Sequence, residues 1–153
     1  MKKIIAVLFI LGTFGIQAQE AKWLDDVDEA IKVSQETKKP ILANFTGSDW
    51  CGWCIRLDRE VFSKKEFSTW ANENVVLLTV DFPKHKKLSP EQKVNNNQLK
   101  NAFQVRGFPS VWLFSPGEGE NPKQGIKALG KTGYAKGGPE KWIATVAPYL
   151  PQK

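Results

Sequence analysis

The sequence predicts an α/β domain with a central mixed sheet of about four strands flanked by helices. Three observations carry this expectation. Short apolar runs at 41–45, 75–82 and 110–114 have the length and β-branched content of buried strands. The segments between them show helical spacing or helix-capping residues. A Gly- and Pro-rich stretch at 115–124 then leads into a fourth strand-like run at 125–131, as in a hairpin. Helix-linked strands followed by a hairpin imply one βαβ half and one antiparallel half in the same sheet. The 153 residues suffice for one domain, and 41% hydrophobic with 25% charged residues is ordinary for a globular chain.

Each element has its own signal. Residues 25–39 place Val27, Ala30, Ile31 and Ser34 at helical spacing, with acids early and Lys38–Lys39 late, an order that suits the helix dipole. Pro40 stops that helix. Residues 46–49 are a polar turn. Residues 52–62 read as a helix with Ile55, Leu57 and Val61 as apolar contacts, and Phe67 and Trp70 suggest a further helical turn. Residues 83–88 form a basic loop. Ser89, Pro90 and Gln92 fit a helix start with a capping box, and that helix runs to about Val105, with Gly107 ending it. Pro139 opens the last helix, with Trp142, Ile143, Val146, Ala147 and Leu150 on one face.

The N-terminus reads differently. Lys2 and Lys3 precede an apolar stretch, Ile4 to Ile16, followed by Gln17 and Ala18. This order is that of a secretory signal peptide, expected over residues 1–18 with cleavage after Ala18, leaving a domain over 19–153. The apolar run is short for a transmembrane helix, which needs about 20 residues. A periplasmic or secreted location follows. The formal net charge is +6, of which Lys2 and Lys3 supply two. The densest basic cluster, Lys84, Lys86 and Lys87 around His85, lacks the aromatic interleaving of a nucleic-acid surface, and none is expected.

The chemistry lies in Cys51 and Cys54, the chain's only cysteines. A structural disulfide gains stability by closing a long loop, and a two-residue spacer closes almost none. The pair follows a strand and opens a helix. A Cys at a helix N-terminus has its thiolate favoured by unpaired backbone N–H groups and the dipole. Cys54, three residues on, lies within reach of Cys51. Cys51 can therefore attack a substrate disulfide and Cys54 can resolve the mixed disulfide. Gly52 keeps the approach open, while Trp50 and Trp53 offer an apolar platform for substrate. Other readings of the pair are an inert local disulfide and a metal site. Haem attachment would need His where Ile55 stands, and a zinc site would need more ligands than His85 adds. No metal and no cofactor beyond the redox-active disulfide is expected. Trp23, Trp70, Trp112 and Trp142 read as core or cover, and Arg56 as a surface residue.

Trp50-Cys51-Gly52-Trp53-Cys54 at a strand–helix junction resembles the thioredoxin superfamily, whose motif is a standard illustration of this chemistry. Phe108-Pro109-Ser110 looks like that family's cis-proline segment, which implies substrate-backbone binding by Phe108 and Pro109. Trp23, the helix through Ala30, the Lys39–Pro40 junction and the strand before the motif are similar to exported thioredoxin-like domains, such as the C-terminal thiol domain of the bacterial transmembrane disulfide reductase. The likeness covers residues 22–150. It implies a thioredoxin fold. Thiol- or disulfide-containing exported proteins are the expected partners, a reducing role outside the cytosol calls for a membrane electron donor, and a monomer is expected. Two departures stand out. Gly-Trp between the cysteines supplies no cation, and Asp49 is a nearby anion, which places the potential toward the reducing end. Asn44 occupies the place of the family's buried acid, so Asp49 or a water is left to act as base. A disulfide oxidase or isomerase, and a non-catalytic binding module, are the other readings of the same residues.

Overall fold

The computed structural model describes residues 20–119 and 121–152; the leader expected at 1–18 lies outside them. Five strands form one sheet in the order β1-β3-β2-β4-β5. They are β1 (Trp23–Leu24), β2 (Ile41–Thr46), β3 (Val76–Asp81), β4 (Ser110–Ser115) and β5 (Lys127–Thr132). β1 and β2 run parallel to β3, whereas β4 runs antiparallel to β2 and β5 antiparallel to β4. The expected βαβ half and hairpin half are both present. The fifth strand, β1, was not foreseen. Two residues show no periodicity, and Trp23 and Leu24 become a strand only by pairing with Leu77 and Leu78.

The helices follow local signals closely. Helix α1 (Val27–Thr37) is capped by Asp26, whose Oδ1 accepts the N–H groups of Asp28 (2.7 Å) and Glu29 (3.0 Å). It ends one turn before Pro40, at Lys38, which adopts a left-handed conformation with φ 59°. Helix α2 (Gly52–Leu57) continues as a π-helical turn over Asp58–Phe62. The isolated helical turn expected around Phe67 is a full helix, α3 (Lys65–Asn74), with Phe67, Ser68 and Ala71 buried. Helix α4 (Pro90–Ala102) carries the expected capping box: Gln92 N–H donates to Ser89 Oγ and Ser89 N–H to Gln92 Oε1, each at 3.1 Å. Helix α5 (Gly138–Val146) ends in a 3₁₀ turn at Ala147–Tyr149. Among the described residues, no helix is long and apolar enough to cross a membrane.

Alternation along β2 divides the core in two. Ile41, Ala43 and Phe45 face one layer with Val76, Leu78, Val80 and Phe114, covered by α1 and α4. Leu42 faces the other, with Leu57, Val61, Phe62, Phe67, Leu77, Leu113 and Trp142, covered by α2, α3 and α5. Trp142 is the pin of this second layer. It is fully buried, packs edge-on against Phe62 (5.1 Å) and Phe67 (5.7 Å), and donates its Nε1 to the Gly133 carbonyl at 2.8 Å. This layer carries the helix on which the cysteines sit. Trp142→Ala is expected to lower unfolding free energy by about 3–5 kcal/mol, the usual cost of emptying a large aromatic site. Urea titration of the oxidised protein checks this.

Candidate active site

The functional segment begins where β2 ends, at the C-terminal edge of the parallel strands. The chain turns over Gly47–Trp50, and both Trp50 and Cys51 donate their N–H to the Gly47 carbonyl, at 3.2 and 2.8 Å. Asp81, buried at the end of β3, fixes this turn from below. Its carboxylate accepts the Ser48 N–H (2.9 Å) and the Ser48 hydroxyl (2.5 Å), while its carbonyl accepts Asn96 Nδ2 of α4 (2.9 Å). Sequence reasoning passed over Asp81 as part of a strand. The available signal was an acid closing an apolar β-branched run.

Cys51 is the N-cap of α2. Its backbone is extended (φ −84°, ψ 102°), its carbonyl accepts the N–H of Ile55 at 3.0 Å, and its Sγ accepts the N–H of Cys54 at 3.3 Å. The sulfur thus occupies the place a Ser or Asp oxygen takes in an ordinary cap. Cys51 and Cys54 form a disulfide, with Cα atoms 5.2 Å apart. Both are nearly enclosed, at 7% and 4% exposure, whereas Gly52 between them is open. Beyond its chain neighbours and the helix's own backbone, nothing lies within 4 Å of a Cβ built on Gly52, so bare backbone faces solvent there.

Two aromatic groups frame the pair. On one side the Trp50 indole lies over Gly47, donates Nε1 to the Phe82 carbonyl (2.8 Å) and meets the Phe108 ring edge-on at 6.0 Å. A Cβ at Gly47 would fall 2.5 Å from that indole, so glycine is what allows the ring to fold back. Phe108 in turn stacks on Phe82 at 5.2 Å, and the Phe108–Pro109 peptide bond is cis. On the other side Trp53, 56% exposed, packs against Tyr134 at 5.3 Å. Arg56 lies over both rings (5.5 and 5.7 Å) and pairs with Glu60 at 2.8 Å. Tyr134 donates its hydroxyl to the other Glu60 oxygen at 2.6 Å. The Arg56 and Tyr134 hydrogen bonds hold the Glu60 carboxyl below its usual value, and the same carboxylate pushes the Tyr134 hydroxyl up. Arg56, expected to be a plain surface residue, is therefore tied into the site wall together with Glu60 and Tyr134. The sequence marks neither partner, because the π-helical turn and the β5–α5 connection bring them together only in three dimensions.

Asp49 does something other than sit free as a base. Its carboxylate accepts the backbone N–H groups of Lys84 (2.9 Å), His85 (2.7 Å) and Lys86 (2.9 Å). Chiefly through the Lys84 bond, these pull its carboxyl down to about 2, outweighing the opposing effect of desolvation. A group so acidic stays ionised and holds no proton at neutral pH. Asn44 lies in β2, and strand alternation puts it on the α2 side with Leu42. Its Oδ1 is enclosed and accepts no hydrogen bond. Among the described residues, no three His, Cys, Asp or Glu side chains gather into a metal-binding cluster.

A strand-to-helix turn presenting a cystine at a helix cap, beside a cis-proline segment, defines a thiol–disulfide oxidoreductase with the thioredoxin fold. Residues 27–128 match the thioredoxin-like domain family, and the chain belongs to it. It is 34% identical over 131 residues to the disulfide bond reductase DsbH of Chlamydia pneumoniae, spanning 86% of this chain and 74% of that protein. It is 29% identical over 126 residues to the thioredoxin-related protein DsbJ of the same organism, spanning 78% of this chain but 36% of that longer one. A solved structure of a DsbH oxidoreductase superposes with a TM-score of 0.79 at 29% identity, covering 97% of this chain and 96% of its own.

The Asp49 clamp has a pH signature. Its folded value lies below the unfolded one near 4, so its stabilising effect is complete above about pH 4 and disappears as pH falls through about 2. Asp49→Asn is expected to be less stable than the parent at pH 7, with the difference vanishing near pH 2. Urea titrations of both proteins at the two pH values check this.

Proposed function

We propose that the protein reduces disulfides of exported proteins, with Cys51 as the attacking thiolate and Cys54 as the resolving thiol. The observation that carries this reading is the Cys51 cap: its Sγ accepts a backbone N–H at the start of α2, and that same contact stabilises the sulfur when it bears negative charge. The reduced Cys51 thiolate attacks one sulfur of a substrate disulfide and expels the other as a thiolate. A mixed disulfide now joins protein and substrate. Cys54, once deprotonated, attacks Cys51 Sγ, and the second substrate sulfur leaves. Two electrons have passed to the substrate, and the protein holds the Cys51–Cys54 disulfide seen in the structure.

The surrounding residues take supporting roles in this reading. Trp50, Gly52 and Trp53 receive the substrate around the sulfur, and Phe108 and Pro109 flank its backbone. Asp49 organises the Lys84–Lys86 loop behind Trp50 rather than moving a proton. Asn44 takes no proton, so deprotonation of Cys54 falls to water. The reducing direction is supported by the absence of a cation between the cysteines, and by 34% identity to a relative that bears the name of a disulfide bond reductase. The signal-peptide pattern at residues 1–18 supports export to the periplasm or beyond, where thiols need a membrane-borne electron donor to be reduced again.

Equilibration of the protein without residues 1–18 in glutathione buffers, with the cystine followed by mass, tests the direction. A reversible transition near about −270 mV is expected; one near about −120 mV would make the protein an oxidase instead. Cys54→Ser should accumulate a mixed disulfide through Cys51, and Cys51→Ser should form none. Binding of substrate that survives unaltered in Cys51→Ser, with no exchange in the parent, would leave only a binding module.

A further inference from the structure

We propose that the groove beside Phe108 and Pro109 docks an acidic segment of the substrate polypeptide, and that Arg106 and Lys131 set this preference. The inference rests on the reductase reading and adds the substrate class. An open groove of about 870 Å³ runs from the Phe108–Pro109 peptide, past the C-terminal end of α4, to β5. Trp112 and Ile126 line it, both on the sheet face opposite α2. It therefore leads away from the cystine around the sheet edge, beginning at the residue whose ring meets Trp50.

Its charge is one-sided. Arg106 and Lys131 line the groove, and among the described residues no Asp or Glu does. Both are exposed, and neither belongs to an ion pair among the described residues; those pairs are Lys22–Glu29, Arg56–Glu60 and Lys123–Asp28. Lys131 Nζ instead lies over the Trp112 ring at 5.6 Å. The same arrangement continues around the aromatic rim toward the cystine. Lys100 Nζ lies over Phe82 at 5.5 Å and Lys84 Nζ over Trp50 at 4.4 Å. Asp49, the acid beside this rim, already has its oxygens on three loop N–H groups.

Cations resting on aromatic faces with no carboxylate partner are complementary to incoming carboxylates. They are strung along a groove rather than converging on one point, which suits acids spaced along an extended chain more than a single small anion. A polypeptide whose cystine is held at Cys51 passes Trp50, whose ring meets Phe108 at the start of this groove, so its flanking residues reach the groove along the same rim.

The test uses the reduced protein as a stoichiometric donor to two synthetic peptide disulfides, identical except that one carries Asp and Glu in the flanking segment and the other Lys. The parent should reduce the acidic peptide about four-fold faster, as expected for two exposed charge pairs each contributing about two-fold, and high salt should erase the difference. In Arg106→Gln/Lys131→Gln the acidic-to-basic ratio should fall to about one, whereas Arg106→Lys/Lys131→Arg should keep it. Equal rates for the two peptides in the parent, or a preference untouched by the Gln substitutions, would overturn the docking proposal. Dimerisation that the Gln substitutions abolish would also overturn it, since a second copy would then fill the groove. Reduction of a small neutral disulfide by the parent separates the two levels: if that fails as well, the reductase reading itself is wrong.

Discussion

The site depends on one local contact, the N–H of Cys54 donated to the Sγ of Cys51 at the start of α2. The first N–H groups of a helix need acceptors, and this one is shared between the Cys51 carbonyl at 3.0 Å and the sulfur at 3.3 Å. In the reductase reading proposed above, the same contact favours the charged form of that sulfur once the disulfide is reduced, because a backbone N–H donates more strongly to a thiolate. Holding it in register requires that the turn before Cys51 be rigid, and three independent fixings supply this. Gly47 accepts two N–H groups, Asp81 holds Ser48 from the end of β3, and Asp49 gathers the Lys84–Lys86 loop behind Trp50.

The walls of the site divide the same way as the core. Trp50, Phe82 and Phe108 belong to the loops following β2, β3 and α4, whereas Trp53, Arg56, Glu60 and Tyr134 belong to α2, its π-helical continuation and the β5–α5 connection. The cystine sits between the two groups, and Gly52 leaves it open from above. A Cβ at Gly52 would meet nothing beyond its own helix and chain neighbours. This division explains why an exposed Trp53 can be positioned without being buried. Its ring is braced by Tyr134, and Glu60 links Tyr134 to Arg56 in one hydrogen-bonded unit.

Much of this architecture was legible in the sequence because it rests on local signals. The β-branched run before Asp81, the Ser89–Gln92 capping box and the Cys pair after β2 each act through nearest neighbours along the chain. What escaped was set by partners distant in sequence. β1 exists only by pairing with β3, and the extent of α3 depends on Phe67 stacking with Trp23 and Phe62. Asp49 is the most instructive residue. As an anion two positions from a reactive cysteine it reads as a base or an opposing charge. In the fold, loop amides more than thirty residues away claim its oxygens and make it a structural anion. Glu60 and Tyr134 were invisible for the same reason. The Phe108–Pro109–Ser110 segment carried meaning only through its likeness to a known family, and the structure gives it the cis bond that likeness implies.

The account stands or falls on Cys51 being the activated thiol. Alkylation of the fully reduced protein across pH 5–10, with each cysteine followed separately by peptide mass, measures this directly. Cys51 is expected to react first, with an apparent pKa below the free-thiol value of about 8.5, while Cys54 reacts only at higher pH. Equal titration of both near 8.5, or earlier reaction of Cys54, would contradict it.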